Sequence, residues 1–237
     1  MSDAYSQIVN TLTTFRNPSK IEIFKRFFKT GPGQYGEGDQ FYGLTNPQVH
    51  MVESQFWKQA NLSDIQKLLN HPVHEFRCVA LLIMTRQFAK ASPGLQQQIY
   101  NLYLANTTQI NNWDLVDLSA PKVVGLYLLD KPRDILYDLA ISNLLWDRRI
   151  SIISTFAFIR QSQYKDTLEI SKILLSDKQD LIHKAVGWML REIGKRDLKT
   201  LTDFLDVYAT KLPRTALRYA IEKFPETQRQ HYLKLKT

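Results

Sequence analysis

The sequence predicts an all-α fold of stacked helical repeats, a solenoid of the α–α superhelix type. Apolar residues recur at helical spacing along nearly all of the 237 residues, and no segment alternates as a strand would. Four similar segments, each beginning with polar residues and continuing with apolar ones, occur at Arg77, Trp113, Arg149 and Lys184. These residues are 36, 36 and 35 positions apart. A helix pair of this length is the unit of α-solenoids, and stacking in register would align the four residues along one inner face. The alternative is that many amphipathic helices give such a spacing by chance.

The helical pattern divides the chain into thirteen predicted helices. Thr45 and Pro47 mark the start of one of them, and Ser63 with Asp64 is expected to cap the next. Pro121 lies inside an apolar pattern and is expected to kink or break its helix. The predicted ranges are 3–15, 19–29, 46–59, 63–70, 73–90, 94–106, 113–129, 132–140, 144–161, 165–175, 179–194, 198–209 and 213–224.

The composition predicts a single repeat domain over residues 1–237, since 44% of the residues are hydrophobic. Cys78 is the one cysteine, which excludes an internal disulfide and favours a reducing compartment. The start of the sequence has no signal-peptide pattern, and no apolar run approaches a membrane span. We therefore expect a soluble cytoplasmic protein, with a monomer as the simplest state.

The charge of the chain favours a polyanionic partner. The net charge is +8, and residues 141–237 carry 18 Lys and Arg against 11 Asp and Glu, whereas residues 1–140 are nearly balanced. A structured basic face of this kind favours nucleic acid as the partner. An anionic membrane surface is the competing interpretation.

The segment 111–121, NNWDLVDLSAP, is the most informative motif. On a helix, Trp113 and Asp117 are four residues apart and share one face. An aromatic π-face and a carboxylate both attract cations, so the pair suits a positively charged ligand or transition state. The alternative is that Trp113 packs in the core while Asp114 or Asp117 serves the first helical turn behind an Asn112 cap.

Two weaker motifs predict no cofactor and no metal. The stretch from Gly31 to Gly36 matches the dinucleotide fingerprint but follows a helix instead of a strand. His74 and Glu75 begin like a zinc-protease helix, but Cys78 stands where the second histidine belongs, and Cys78 is expected in the core.

Trp188 and its neighbours form a second candidate group. Trp188 would be a core residue by default, but Gly187 weakens a helix by about 1 kcal/mol relative to Ala, which indicates close packing or the approach of a ligand. Arg191 follows three residues later on the same surface. Arg149 is either a solvated charge or an inward-facing residue equivalent to Trp113.

These residues resemble those of the AlkD-type DNA alkylation repair glycosylases, a family of HEAT-like repeat proteins. The strings that carry the likeness are NNWDLVDLSAPKVVG, LWDRRISIISTF and LIHKAVGWMLREIGKRD. The resemblance implies that Trp113 and Asp117 flank the damaged nucleotide, with Asp117 and Trp113 as the catalytic pair. It also implies that Trp188 holds the lesion and that Phe27 stands where the family often has tyrosine. The Gly-rich stretch 31–38 is longer than in the best-known members.

The resemblance implies a monofunctional glycosylase that excises cationic N3- and N7-alkylated purines from double-stranded DNA, bound on a concave face. Arg149, Lys184 and Arg191 would hold phosphates, which gives salt-sensitive affinity. Such a protein would be cytoplasmic and associated with the nucleoid when bound to DNA. No lysine is evident beside Trp113 and Asp117, so Schiff-base chemistry is not predicted. The alternatives are a non-catalytic HEAT-repeat protein that recognises bent, branched or damaged DNA, and a protein-binding scaffold.

Overall fold

The first half of the chain forms one compact unit of helices. The computed structural model describes residues 3–235 and divides the chain into two compact units, Met1–Tyr127 and Leu128–Thr237. The helices of the first unit are Ala4–Thr14 (α1), Pro18–Phe27 (α2), Asn46–Phe56 (α3), Leu62–Leu69 (α4), His74–Phe88 (α5), Pro93–Leu104 (α6) and Trp113–Ser119 (α7), followed by a π-helical turn over Pro121–Gly125.

The second unit is also helical. Its α-helices are Asp134–Ala140 (α8), Leu145–Ser154 (α9), Phe156–Ile159 (α10), Lys165–Ile173 (α11), Asp180–Gly194 (α12), Leu198–Tyr208 (α13), Arg214–Ala220 (α14) and Glu226–Lys234 (α15). A short 3₁₀ turn, Leu174–Ser176, follows α11.

The predicted all-α fold class is confirmed. Within residues 3–235 there is no β-strand, and strand-like pairing is limited to one isolated bridge between Gln40 and Val73. This architecture is consistent with an α-helical repeat fold. The finer predictions, a HEAT-like repeat, a single domain and a concave face, stay predictions. No helix in the described part of the chain is both long and apolar enough to cross a membrane.

Helix starts follow local capping chemistry, with one correction to the sequence prediction. Helix α3 begins at Asn46 as expected, and the side chain of Gln48 accepts a hydrogen bond from the Thr45 N–H at 2.8 Å. Helix α4 begins earlier than predicted, because Asn61 is its cap in place of Ser63. The Asn61 and Asp64 side chains each accept a bond from the other's N–H at 3.0 Å.

Pro121 ends helix α7, as the sequence predicts. Proline has no N–H to donate and its ring crowds the preceding turn. The chain continues as a π-helical turn in which the Gly125 N–H donates to the Ala120 carbonyl, five residues back, at 2.9 Å. The predicted helix over 113–129 is therefore shorter than expected.

Two larger differences separate the predicted helices from the observed ones. The helix predicted over 144–161 divides at Thr155, whose hydroxyl donates to the Ile152 carbonyl at 2.7 Å, and this local bond competes with the helical ladder. Helix α15 was missed because its sequence is mostly polar, and Tyr232 is its one buried residue.

Gly187 allows helix α12 to pack closely against helix α14. A Cβ added at Gly187 would lie 2.4 Å from the Ala216 carbonyl oxygen and 2.5 Å from the Tyr219 Cβ. The sequence offered close packing or the approach of a ligand as reasons for this glycine, and the structure shows close packing.

The substitution Gly187→Ala is expected to destabilise the protein by about 1–3 kcal/mol, because overpacking outweighs the gain in helix propensity. Urea denaturation measures the change. Gly94→Ala is the matched control in helix α6, since a Cβ at Gly94 meets nothing within 4 Å. Equal stability of the two variants would contradict this account of the α12–α14 contact.

Candidate functional site

The first unit contains a cavity of about 940 Å³ with aromatic walls. Three predicted site residues, Phe27, Trp113 and Asp117, line it together. Helices α2, α3, α5 and α7 supply most of the wall. The lining residues used below are Ile23, Phe24, Phe27, Phe28, His50, His74, Cys78, Trp113, Asp114, Asp117 and Lys122.

Trp113 is the first residue of helix α7 and is both packed and accessible. The side chain of the fully buried Asn112 caps the helix and accepts a bond from the Trp113 N–H at 2.9 Å. The indole stacks on Phe28, with centroids 5.8 Å apart and planes at 28°, and meets Phe27 edge to face at 5.8 Å. The sequence offered core packing and ligand binding as alternatives for Trp113. The half-buried ring is compatible with both, since it packs against other rings and also lines the cavity.

His74 is buried between two carboxylates at the floor of the cavity. Its Nε2 lies 2.8 Å from an Asp114 carboxylate oxygen and its Nδ1 lies 3.2 Å from an Asp39 carboxylate oxygen. Burial opposes protonation, but the charges and hydrogen bonds of Asp114 and Asp39 outweigh it and raise the pKa of His74 to about 9. The ring is therefore an imidazolium at neutral pH.

The Asp39 carboxylate accepts hydrogen bonds from several side chains and so connects three parts of the first unit. Its carboxylate accepts from Arg77 at 2.5 Å, from Asn112 at 3.3 Å and from Asn111 at 3.4 Å, in addition to His74. Burial alone would raise the pKa of Asp39, but the His74 hydrogen bond and the Arg77 charge outweigh it, so the pKa is lowered. Asp39 thereby holds the segment after the Gly-rich stretch against helices α5 and α7.

Arg77, which the repeat pattern predicts on an inner face with Trp113, Arg149 and Lys184, takes part in this interior network. It is buried, and its guanidinium also donates to the carbonyls of His71 and Pro72 at 3.0 and 3.2 Å. Arg77 therefore has a structural role in this unit, because it neutralises Asp39 in the interior.

Glu75 anchors the segment that follows Asp39. Its buried carboxylate accepts bonds from the N–H groups of Tyr42, Gly43 and Leu44 at 2.8–3.1 Å. Gly43 has φ +80°, and a Cβ there would lie 2.4 Å from the Asn17 carbonyl oxygen. Asn17 caps helix α2, so the missing Cβ of Gly43 lets the chain pass close to the start of one cavity wall.

The remaining predicted site residues lie in the second unit, where each has an internal partner. The Trp188 and Phe156 ring centroids are 6.1 Å apart. Arg149 is buried and donates to the Leu181 carbonyl at 2.5 Å.

The other two predicted phosphate contacts in this unit hold carboxylates. Lys184 pairs with Asp180 at 2.8 Å, and Arg191 pairs with Glu222. The assignment of these residues to DNA contacts stays a prediction.

Comparison with known proteins shows the family to which this chain belongs. Residues 8–224 match the family model described as "DNA alkylation repair enzyme". The chain belongs to this family. Membership gives the protein a role in the repair of alkylated DNA and makes DNA its partner, as the sequence resemblance implied.

One solved structure has the same fold. It is described as a predicted DNA alkylation repair enzyme from Enterococcus faecalis, and the match has 17% identity and a TM-score of 0.71 over 89% of this chain and 97% of that chain. At this identity the likeness establishes the fold alone. No curated protein matches this chain.

The cavity contains polar residues that sequence reasoning missed. Lys122 lines the same cavity as Trp113 and Asp117, so a lysine does stand in the candidate site, contrary to the sequence expectation. His50, on helix α3, also lines it. Lys122 stands in the string NNWDLVDLSAPKVVG, but it follows Asp117 by five residues and lies past the Pro121 break, so helical spacing does not place it beside Asp117. His50 belongs to no sequence motif.

Cys78 lines the cavity instead of lying wholly in the core, and burial raises the pKa of its thiol. The thiol is therefore protonated at neutral pH. Within residues 3–235, no group of three or more His, Cys, Asp and Glu residues is arranged to hold a metal ion.

The variant His74→Gln is expected to lower the free energy of unfolding by about 3 kcal/mol near pH 6, because the buried Asp39 and the partly buried Asp114 lose the cation that they share. The pKa of His74 is about 9 in the folded protein and ordinary in the unfolded chain. Its stabilisation is therefore complete below an ordinary histidine pKa and is lost as the pH rises through about 9.

Urea denaturation of both proteins across this pH range provides the measurement. The difference between wild type and His74→Gln should shrink as the pH approaches 9, whereas the exposed control His231→Gln should match wild type throughout. A difference that stays constant with pH would show that the His74 charge is not what stabilises the network.

Proposed function

We propose that this protein is a monofunctional DNA glycosylase that excises cationic N3- and N7-alkylated purines from duplex DNA. The observation that carries the proposal is one cavity lined by Trp113, Phe27 and Asp117, in which the rings of Trp113 and Phe27 are 5.8 Å apart. Such a site favours a ligand or transition state with positive charge. Membership of the DNA alkylation repair family supports alkylated DNA as the source of that ligand.

The proposed reaction breaks the glycosidic bond between C1′ of the deoxyribose and N9 of the alkylated purine. The bonding electron pair leaves with the purine, which becomes neutral, while positive charge develops on the sugar. Asp117 stabilises this charge and orients a water molecule, whose oxygen bonds to C1′ as its proton passes to the carboxylate or to solvent. The products are a free base and an abasic site.

The lesion is proposed to bind by cation–π contact with Trp113, each such contact contributing about 0.5–2 kcal/mol. Trp188 is proposed as a second aromatic contact from its place in the family motif. Lys184 and Arg191 would exchange their carboxylate partners for phosphates of the DNA backbone. The resemblance adds Arg149, which would leave the Leu181 carbonyl to do the same.

The variant Asp117→Asn is expected to slow release of N7-methylguanine from alkylated duplex DNA by about 10²–10³-fold, because it removes the charge that stabilises the sugar cation. Its affinity for the DNA should stay near that of wild type. Release is measured as free base in single turnover, and affinity is measured by titration of the same duplex. Asp138→Asn, an exposed carboxylate outside the cavity, is the matched control.

Other results point to other functions. Equal release by wild type and Asp117→Asn would remove Asp117 from the chemistry. Tight DNA binding without release by wild type would identify a non-catalytic protein that recognises damaged or branched DNA. If strand breaks form together with base release and without alkali treatment of the abasic site, Lys122 is indicated as a lyase residue. That result would contradict the monofunctional assignment.

A further inference from the structure

The first unit contains a second pocket, of about 450 Å³, at the far ends of two helices that line the cavity. It lies where α3 and α5 end, whereas the cavity is lined by residues nearer the starts of these helices. Along α5 the cavity residues end at Leu82 and the pocket residues begin at Gln87, about 7 Å further along the helix axis. The two sites share no lining residue and are therefore separate.

Three cations converge on the indole of Trp57 beside this pocket. The guanidinium carbon of Arg86 lies 4.8 Å from the ring centroid, and the Nζ atoms of Lys58 and Lys90 lie 5.5 and 5.7 Å from it. Arg86 is held by Glu53 at 3.0 Å, whereas within residues 3–235 neither lysine forms a salt bridge. The carbonyl ends of α3 and α5 each stabilise a nearby lysine, but they do not account for the meeting of all three cations at one ring.

The backbone that carries Trp57 is fixed against helix α5. The side-chain amide of Gln87 donates to the carbonyls of Trp57 and Ala60 at 2.7 Å each, which ties the end of α3 to α5. The indole is half-buried, while Lys58 and Lys90 are exposed. The pocket therefore combines a positioned aromatic ring with two cations that have no carboxylate bonded to them.

We propose that this pocket is a binding site for a nucleoside phosphate. The lysine charges leave the ring and hold the phosphate between Lys58 and Lys90, the base stacks on the Trp57 indole, and the exposed amide of Gln98 faces the edge of the base. Proteins that bind nucleotides without sequence preference combine stacking rings and cations in this way. The proposal is independent of the proposed glycosylase function, because it uses none of the cavity residues.

The rest of the pocket favours a nucleotide over an acidic peptide. Its volume is within the usual range for small-molecule sites, and Leu62 and Leu95 add apolar surface for a ring. Helix α6 begins at Pro93 beside the pocket with no side-chain cap, so its N–H end adds positive potential for a phosphate. An acidic peptide matches the lysines alone, whereas a nucleotide matches the lysines, the indole and the Gln98 amide.

The first test titrates wild type, Trp57→Leu and Trp113→Leu with AMP by calorimetry. Trp57→Leu should weaken binding about 5–150-fold, the usual contribution of one base stacked on an aromatic side chain. Trp113→Leu removes the indole of the cavity instead and should bind AMP as wild type does. Loss of binding in Trp113→Leu but not in Trp57→Leu would place AMP in the cavity and overturn the proposal.

The second test changes the two lysines, which are exposed, so it does not require the fold to tolerate a change at Trp57. In the double variant Lys58→Gln/Lys90→Gln, the slope of log K against log[salt] for single-stranded hexadeoxyadenylate should fall by about 0.7, the value for one phosphate. The control Lys178→Gln/Lys211→Gln removes the same charge from exposed positions in the second unit and should keep the wild-type slope. Equal slopes for the two double variants would contradict the phosphate contact.

The choice of ligands separates the sources of the nucleotide from the rival partner. If hexadeoxyadenylate binds more tightly than AMP and both need Trp57, the site holds a single strand, and the reverse order indicates a free nucleotide. Both results support the proposal. If hexaglutamate displaces AMP and binds more tightly than either nucleotide ligand, the pocket takes an acidic peptide and the proposal is overturned. Wild type that binds neither AMP nor hexadeoxyadenylate also overturns it.

Discussion

The candidate site depends on a set of four charges, in which Asp39 and Asp114 are matched by His74 and Arg77; Asp114 is partly exposed and the other three are buried. Buried ions are costly unless each is paired and hydrogen-bonded, so the loss of one partner leaves another uncompensated. Here the carboxylate of Asp39 bonds to both cations, and His74 carries the connection on to Asp114 at the start of helix α7. The set therefore fixes three sequence-distant segments around the floor of one cavity.

This network also sets the aromatic geometry of the cavity. The His74 ring lies against Phe28 and Phe41, with centroids 4.8 and 5.0 Å apart, and Phe28 in turn stacks on Trp113. The residue that follows Trp113 is Asp114, whose carboxylate bonds to His74. The indole is thus positioned both by ring stacking and by an ion pair at the neighbouring residue, and Asp117 follows one helical turn later.

The sequence allowed much of the fold and part of the site to be predicted, because both depend partly on local chemistry. Helical periodicity, the Pro121 break and the cap of α3 involve residues close in sequence. Trp113 and Asp117 were found together because a four-residue spacing on a helix is visible without a structure.

The charge network had no comparable signal. Asp39 and Asp114 lie 35 and 40 residues from His74, and only the packing of α5 against α7 and against the segment after the Gly-rich stretch brings the three together. The polar helix α15 was missed for a related reason, since its sequence has too few apolar residues to show a period.

The central claim is that the cavity recognises positive charge on the modified base. The most direct measurement compares the affinities of two duplexes, one with N7-methylguanine made resistant to cleavage by a 2′-fluoro substituent, the other with its neutral 7-deaza isostere. If Trp113 binds the base by cation–π contact, the charged duplex should bind about tenfold more tightly, and Trp113→Leu should remove the difference. Equal affinity of wild type for the two duplexes would contradict the claim.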